Sequence, residues 1–120
     1  MVRLVIADDH DAVRYSLRLV IETYDDIEVV GEAINGKEAV ELCERLHPDL
    51  VLMDLIMPIM DGVAATQFIH QHFPDTRVLI LTSGTDPDLI RAALNAGAKG
   101  YLEKHVNMDV LTKAIWSAIA

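Results

Sequence analysis

The sequence predicts an α/β fold, a doubly wound parallel sheet of five strands with helices on both faces, from three observations. Short β-rich runs and segments of helical period alternate five times along the chain. Most of the runs are continuously apolar, as strands buried on both faces are. Turn-forming dipeptides stand at the joints, and five βα units in a row imply a parallel sheet covered on both sides.

The expected strands are Val2-Arg3-Leu4-Val5-Ile6-Ala7, Ile27-Glu28-Val29-Val30-Gly31, Leu50-Val51-Leu52-Met53, Arg77-Val78-Leu79-Ile80-Leu81 and Gly100-Tyr101-Leu102. The first expected helix runs from about Val13 to Tyr24, where Val13, Leu17, Val20 or Ile21, and Tyr24 form one apolar stripe. The others run from Lys37 to Leu46, Val63 to Phe73, Asp88 to Ala96, and Met108 onward. Asn35-Gly36, His47-Pro48, Phe73-Pro74-Asp75, Asp86-Pro87 and Ala96-Gly97 punctuate them. The final residues, Ala114 to Ala120, continue a helical pattern without a closing Gly, Asn or Pro. The expectation is a helix cut short or running on into a linker.

At 120 residues the chain has room for one domain, and with 52% apolar residues it can build a core without disulfides or structural metal. The single cysteine, Cys43, lies in a helical stretch and is expected to be a packed thiol. No signal-like n-region or membrane-length apolar run is present, so no membrane partner and a soluble, cytoplasmic protein are expected. A formal charge of −9 argues against direct nucleic-acid binding by these residues, because gripping phosphates needs a surplus of Lys and Arg.

Ligands of a doubly wound sheet bind outside the carboxyl ends of its strands. The first strand ends in Asp8-Asp9, the third in Asp54 and the fourth in Thr82-Ser83, and Lys104 follows the fifth. Three carboxylates, two hydroxyls and one ammonium thus converge on one edge. Two carboxylates about 4 Å apart repel by roughly 4 kcal/mol at a surface-like effective dielectric constant. A hard divalent cation such as Mg2+ relieves that repulsion and favours carboxylates, waters and phosphate oxygens as ligands. Cation and lysine together would offset the charge of an incoming phosphoryl group while one carboxylate attacks phosphorus. The competing reading of Asp8-Asp9, a plain helix cap, weakens once acids and a lysine end other strands.

Asp8-Asp9-His10, the stretch Asp54-Leu55-Ile56-Met57-Pro58-Ile59-Met60-Asp61-Gly62, Leu81-Thr82-Ser83 and Gly97-Ala98-Lys99-Gly100-Tyr101-Leu102-Glu103-Lys104 resemble the signatures of response-regulator receiver domains. The resemblance covers residues 1–120 as a single receiver domain, with the family's order and spacing. It implies a flavodoxin-like sheet of strand order 2-1-3-4-5. It implies Asp54 as phosphoacceptor, and Asp9 and Asp54 as Mg2+ ligands, with Asp8 binding directly or through water. It also implies Ile56 as a ligand through its backbone carbonyl, Thr82 and Lys104 as phosphoryl partners, and Tyr101 as a switch residue that moves with Thr82. The implied function is to accept a phosphoryl group from a sensor histidine kinase and switch a surface. Catalysis would be limited to the domain's own phosphorylation and dephosphorylation.

Glu103 and His105 depart from the pattern and bear on partner contacts rather than chemistry. His10 and His105 read as loop residues, Asp61 as a turn or cap acid, and Gly62 as a site of unusual backbone conformation. An aspartyl-phosphate phosphatase would need an acid two residues past the nucleophile, where Ile56 stands. A flavodoxin-like cofactor binder would want a Ser/Thr/Gly loop where this chain carries acids. The wording Ala7-Asp8-Asp9-His10, Val29-Val30-Gly31-Glu32-Ala33 and Ala98-Lys99-Gly100-Tyr101-Leu102 is similar to the NarL/FixJ-type branch. That likeness implies an output in transcription through a LuxR-type helix-turn-helix domain missing from these residues. In the final helix, Leu111, Ala114, Ile115 and Ala118 are the expected core stripe. Met108, Thr112, Trp116 and Ile119 form a neighbouring face suited to a homodimer on phosphorylation or an interdomain contact.

Overall fold

A computed structural model describes residues 1–84 and 86–120. Ten elements alternate: β1 (Val2–Ala7), α1 (Asp11–Ile21), β2 (Ile27–Ala33), α2 (Gly36–Leu46), β3 (Leu50–Met53), α3 (Gly62–His72), β4 (Arg77–Thr82), α4 (Pro87–Asn95), β5 (Gly100–Glu103) and α5 (Met108–Ile119). The strands form one sheet in the order β2-β1-β3-β4-β5, and every pairing is parallel. The central strand β3 is buried along its whole length, as its unbroken apolar run requires.

Successive residues of a strand face opposite sides of the sheet, and this divides the core in two. Val5, Ala7, Val51, Met53, Val78 and Ile80 pack with Ala39, Leu42 and Cys43 of α2, Ala65 and Ile69 of α3, and Ala93 of α4. Leu4, Ile6, Leu50, Leu52 and Leu79 face the other way, onto Ile21 of α1 and Leu111, Ile115 and Ala118 of α5. Each fully buried aliphatic side chain contributes about 1.5–3 kcal/mol relative to exposure. Cys43 is fully buried, and burial pushes its thiol pKa up to about 12.

The element boundaries differ from the sequence reading in informative ways. α1 begins two residues before Val13 and ends at Ile21. Thr23 and Tyr24 then turn the chain, through N–H bonds to Val20 and Ile21 carbonyls. Tyr24 still packs on the core from this turn, which is why it mimics one more helical period. β2 continues to Ala33, because after a register shift at Leu4/Val5 it keeps pairing with β1 as far as Ala7. In α5, Leu111, Ile115 and Ala118 are buried and Ala114 packs against them as the stripe requires, but Met108 and Ile119 also lean on the core. The expected outer face is therefore narrower than its spacing suggests, and Trp116 is the large apolar side chain left exposed on it.

Candidate functional site

The strand ladders extend one residue past the strands themselves and thereby fix the site. Asp8 N–H donates to the Ala33 carbonyl, Asp54 N–H to the Ala7 carbonyl, and Lys104 N–H to the Thr82 carbonyl, at 3.0, 2.9 and 3.0 Å. Each functional backbone is thus held by the neighbouring strand rather than by a free loop. Asp8 and Asp54 are 2% and 5% exposed, whereas Asp9 is open to solvent. Lys104 Nζ lies 2.6 Å from Asp8 Oδ2 and 3.3 Å from Asp54 Oδ2. Asp54 Oδ1 accepts from the Leu55 N–H at 2.8 Å. Arg14 Nη1 donates to the Asp8 carbonyl at 2.6 Å and so ties α1 to the loop after β1.

Burial, followed by the charge of Asp8, pushes the Asp54 carboxyl above its ordinary pKa, against the pull of Lys104 and the Leu55 N–H. For Lys104, burial works to lower the pKa, but the hydrogen bond to Asp8 and the charges of Asp54 and Asp8 outweigh it, and the pKa is raised. One ammonium therefore leaves the cluster under-neutralised. Carboxylate oxygens of Asp8, Asp9 and Asp54 and a ring nitrogen of His10 lie within 4.8 Å of one another. Their donor set, oxygen-rich and anionic, fits a hard divalent cation such as Mg2+.

A family model described as the response regulator receiver domain matches residues 4–116. The chain belongs to the response regulator receiver domain family. It is 51% identical over 111 residues, 92% of its own length and 52% of the relative's, to an uncharacterised transcriptional regulatory protein, YhcZ, of Bacillus subtilis. Among solved structures it resembles the signal receiver domain of NarL from Mycobacterium tuberculosis, with 33% identity and a TM-score of 0.93. That match covers 98% of this chain and 95% of the other. It also resembles a LuxR-family two-component response regulator from Aurantimonas, with 35% identity and a TM-score of 0.92, over 99% of this chain and 85% of that one. The chain spans about half the length of the curated relatives it matches.

The other receiver signature residues are distributed around this cluster. Thr82, buried at the end of β4, accepts from the Gly84 N–H with its hydroxyl. It lines one hollow with Pro87, Ile90 and Tyr101, and Tyr101 is 49% exposed. Ile56 sends its hydrocarbon side chain to solvent, so its backbone is what it can offer the site. Asp61 is the N-cap of α3 and accepts from Ala64 N–H at 2.8 Å, as its turn-or-cap reading anticipates.

Gly62 corrects the sequence reading: its backbone is ordinary, and close approach is what requires glycine there. A Cβ on Gly62 would stand 2.0 Å from the Asp54 carbonyl oxygen, while its N–H donates to the Leu55 carbonyl. The unusual conformation falls on Ile59 instead, at φ 70°, a region that β-branched residues resist. His10, read from the sequence as a loop residue, sits against the two acids that precede it. Its backbone N–H donates to Asp8 Oδ1 at 2.8 Å, and Nδ1 lies 3.1 Å from that oxygen and 3.2 Å from Asp9 Oδ1. Its position directly after two acids was the available signal.

Proposed function

We propose that this chain is the phosphoacceptor input domain of a transcriptional response regulator, with Asp54 receiving the phosphoryl group from a sensor histidine kinase. The observation that carries the reading is the placement of Asp54. It ends the central strand, is buried beside Lys104, and carries a carboxyl made more basic by its surroundings. In the transfer, an Asp54 carboxylate oxygen forms a bond to phosphorus as the bond to the donor breaks, and the donor leaves with the electron pair. Lys104 balances charge on the phosphoryl oxygens, and the Thr82 hydroxyl donates to one of them. Asp8, Asp9, Asp54 and the Ile56 carbonyl would hold Mg2+, which when bound would supply further neutralisation of phosphoryl charge. Drawing Thr82 toward the phosphoryl group vacates part of the hollow it shares with Tyr101, which moves inward. No helix among the described residues is long and apolar enough to cross a membrane, consistent with a cytoplasmic role.

The domain's chemistry is confined to its own phosphorylation and dephosphorylation, and output lies elsewhere in the protein. The curated relatives are transcriptional regulators about twice as long, which supports residues 1–120 being one receiver joined to a LuxR-type DNA-binding domain. The decisive experiment is intact-mass analysis after acetyl phosphate and Mg2+. One phosphoryl addition is expected in the wild type and none in Asp54→Asn or after chelation; full modification of that variant removes the assignment. Pairing of two copies through the α5 face around Trp116 is read by sedimentation with and without phosphodonor, using Trp116→Glu as the control. A wild type that stays monomeric throughout ends that part of the proposal.

A further inference from the structure

We propose that Arg14 is a positioning residue of the cation site, its guanidinium setting Mg2+ affinity by fixing the peptide between Asp8 and Asp9. The proposal rests on the reading of Asp8, Asp9 and Asp54 as the cation-binding acids. Its own ground lies outside that cluster, in how the backbone between two of those acids is held. β1 pairs with β2 and with β3 only as far as Ala7. The Asp8 N–H still finds the Ala33 carbonyl at 3.0 Å, but the Asp8 carbonyl stands past the end of both ladders. A side chain takes it instead. Arg14 Nη1 donates to it at 2.6 Å, a short bond strengthened by the charge of the donor.

The Arg14 side chain is 12% exposed, and its guanidinium is held at its other corners too. Nε lies 3.3 Å from Glu32 Oε1 on β2, and Nη2 pairs with Asp11 at the start of α1. Glu32 pairs through its second oxygen with Arg18, which keeps it from turning away. An arginine fork is planar and rigid, so holding two of its nitrogens fixes where the third points. Glu32 immediately precedes Ala33 in β2. One strand end therefore grips Asp8 from both sides, directly at the N–H and through Arg14 at the carbonyl. That carbonyl belongs to the Asp8–Asp9 peptide, which is planar and carries Asp9 with it when it turns. Asp8 has a second anchor in Lys104. The Asp9 side chain, 31% exposed, is the acid whose place depends most on this peptide. Mg2+ demands near-ideal octahedral geometry, so a misplaced acid costs affinity.

Charge and position act on Mg2+ binding with opposite signs. Removing a cation from beside three acids would by charge alone tighten binding, whereas losing the bond that holds the peptide weakens it. Partners that orient metal ligands typically carry about 10–100-fold in affinity. In calorimetric titration with Mg2+, Arg14→Met should therefore bind about tenfold or more weakly than the wild type. Arg14→Lys keeps the charge but offers a point in place of a fork, and it should also bind several-fold more weakly. If Arg14→Met does not fold, Arg14→Lys decides alone. Arg18→Met removes an equal charge and the other α1 contact with Glu32 without touching Asp8, and should stay within about threefold. In the metal-free proteins the Asp9 amide resonance, which reports the same peptide, should move in both Arg14 variants and hold its place in Arg18→Met. Unchanged or tighter binding by the Arg14 variants, or equal weakening by Arg18→Met, would make Arg14 a plain tie between α1 and β2 and overturn the proposal. The reading of the acids survives that result. It falls only if the wild type takes up no Mg2+, and the proposal then falls with it.

Discussion

Replacing Lys104 with Met keeps a long apolar stem and removes the charge that separates two buried acids. Nζ lies 2.6 and 3.3 Å from oxygens of Asp8 and Asp54, and the three side chains are 8%, 3% and 6% exposed. Without it, carboxylates that approach within 4.8 Å face each other. At an effective dielectric constant of about 20, that repulsion is about 3.5 kcal/mol. Removing one partner from a buried ion pair costs about 3–5 kcal/mol in general, so the two routes agree. At roughly 4 °C per kcal/mol for a domain of this size, the metal-free melting temperature should fall by roughly 12–20 °C. The pH dependence has a definite sign. Lys104 is what opposes the upward push of burial and Asp8 on the Asp54 carboxyl, so in the variant that carboxyl rises further. The folded variant then holds more protons than the unfolded chain. Its penalty is full above the folded pKa and shrinks as pH falls toward the unfolded value near about 3.9. Thermal melts in chelator from pH 7 to pH 4, repeated with Mg2+ at neutral pH, measure this. The gap between variant and wild type should narrow in acid and again with Mg2+. A gap under about 1 kcal/mol at pH 7 in chelator would refute the reasoning, because it is far below the cost of an unpaired buried charge.

Gly62→Ala should cost at least about 3 kcal/mol in urea unfolding, since its Cβ would meet the Asp54 carbonyl at 2.0 Å and the loop must move. Ile59→Gly should stabilise by about 1 kcal/mol in the same assay, the relief at φ 70° exceeding the added chain entropy. Thr82→Ala should still accept one phosphoryl group by mass, yet Tyr101 resonances should shift much less on phosphorylation than in the wild type; equal shifts count against the Thr82–Tyr101 coupling.

Most of the fold was legible because β1, β3 and β4 are dominated by Val, Leu and Ile, and parallel central strands need no other signal. Where the sheet partner decides, local sequence did not: β2 reaches Ala33 because β1 offers hydrogen-bond partners that far. The acids and lysine were legible as a group because each follows a strand, and strand ends share one edge. Gly62 was not, because the contact that demands glycine is with the carbonyl of a residue eight positions earlier. Nor could the sequence tell that Ile59, rather than a glycine, takes the left-handed backbone position. The α5 face misled for a related reason. Helical spacing assigns angles around the axis, but how far Met108 and Ile119 reach toward the sheet depends on what lies beneath them.

The inertness of Cys43 makes this chain convenient for spectroscopy. Its sulfur is sealed between α2 and the sheet and is held protonated well above neutral pH, and maleimides and iodoacetamides react with thiolates. A dye offered to the native protein should pass over the only natural cysteine. A second cysteine placed at exposed Tyr101 or Trp116 would then carry the label alone, with no need to engineer the background first. A pair of such labels on the β5 and α5 sides would report motion of one surface relative to the other in real time, starting from the unaltered core.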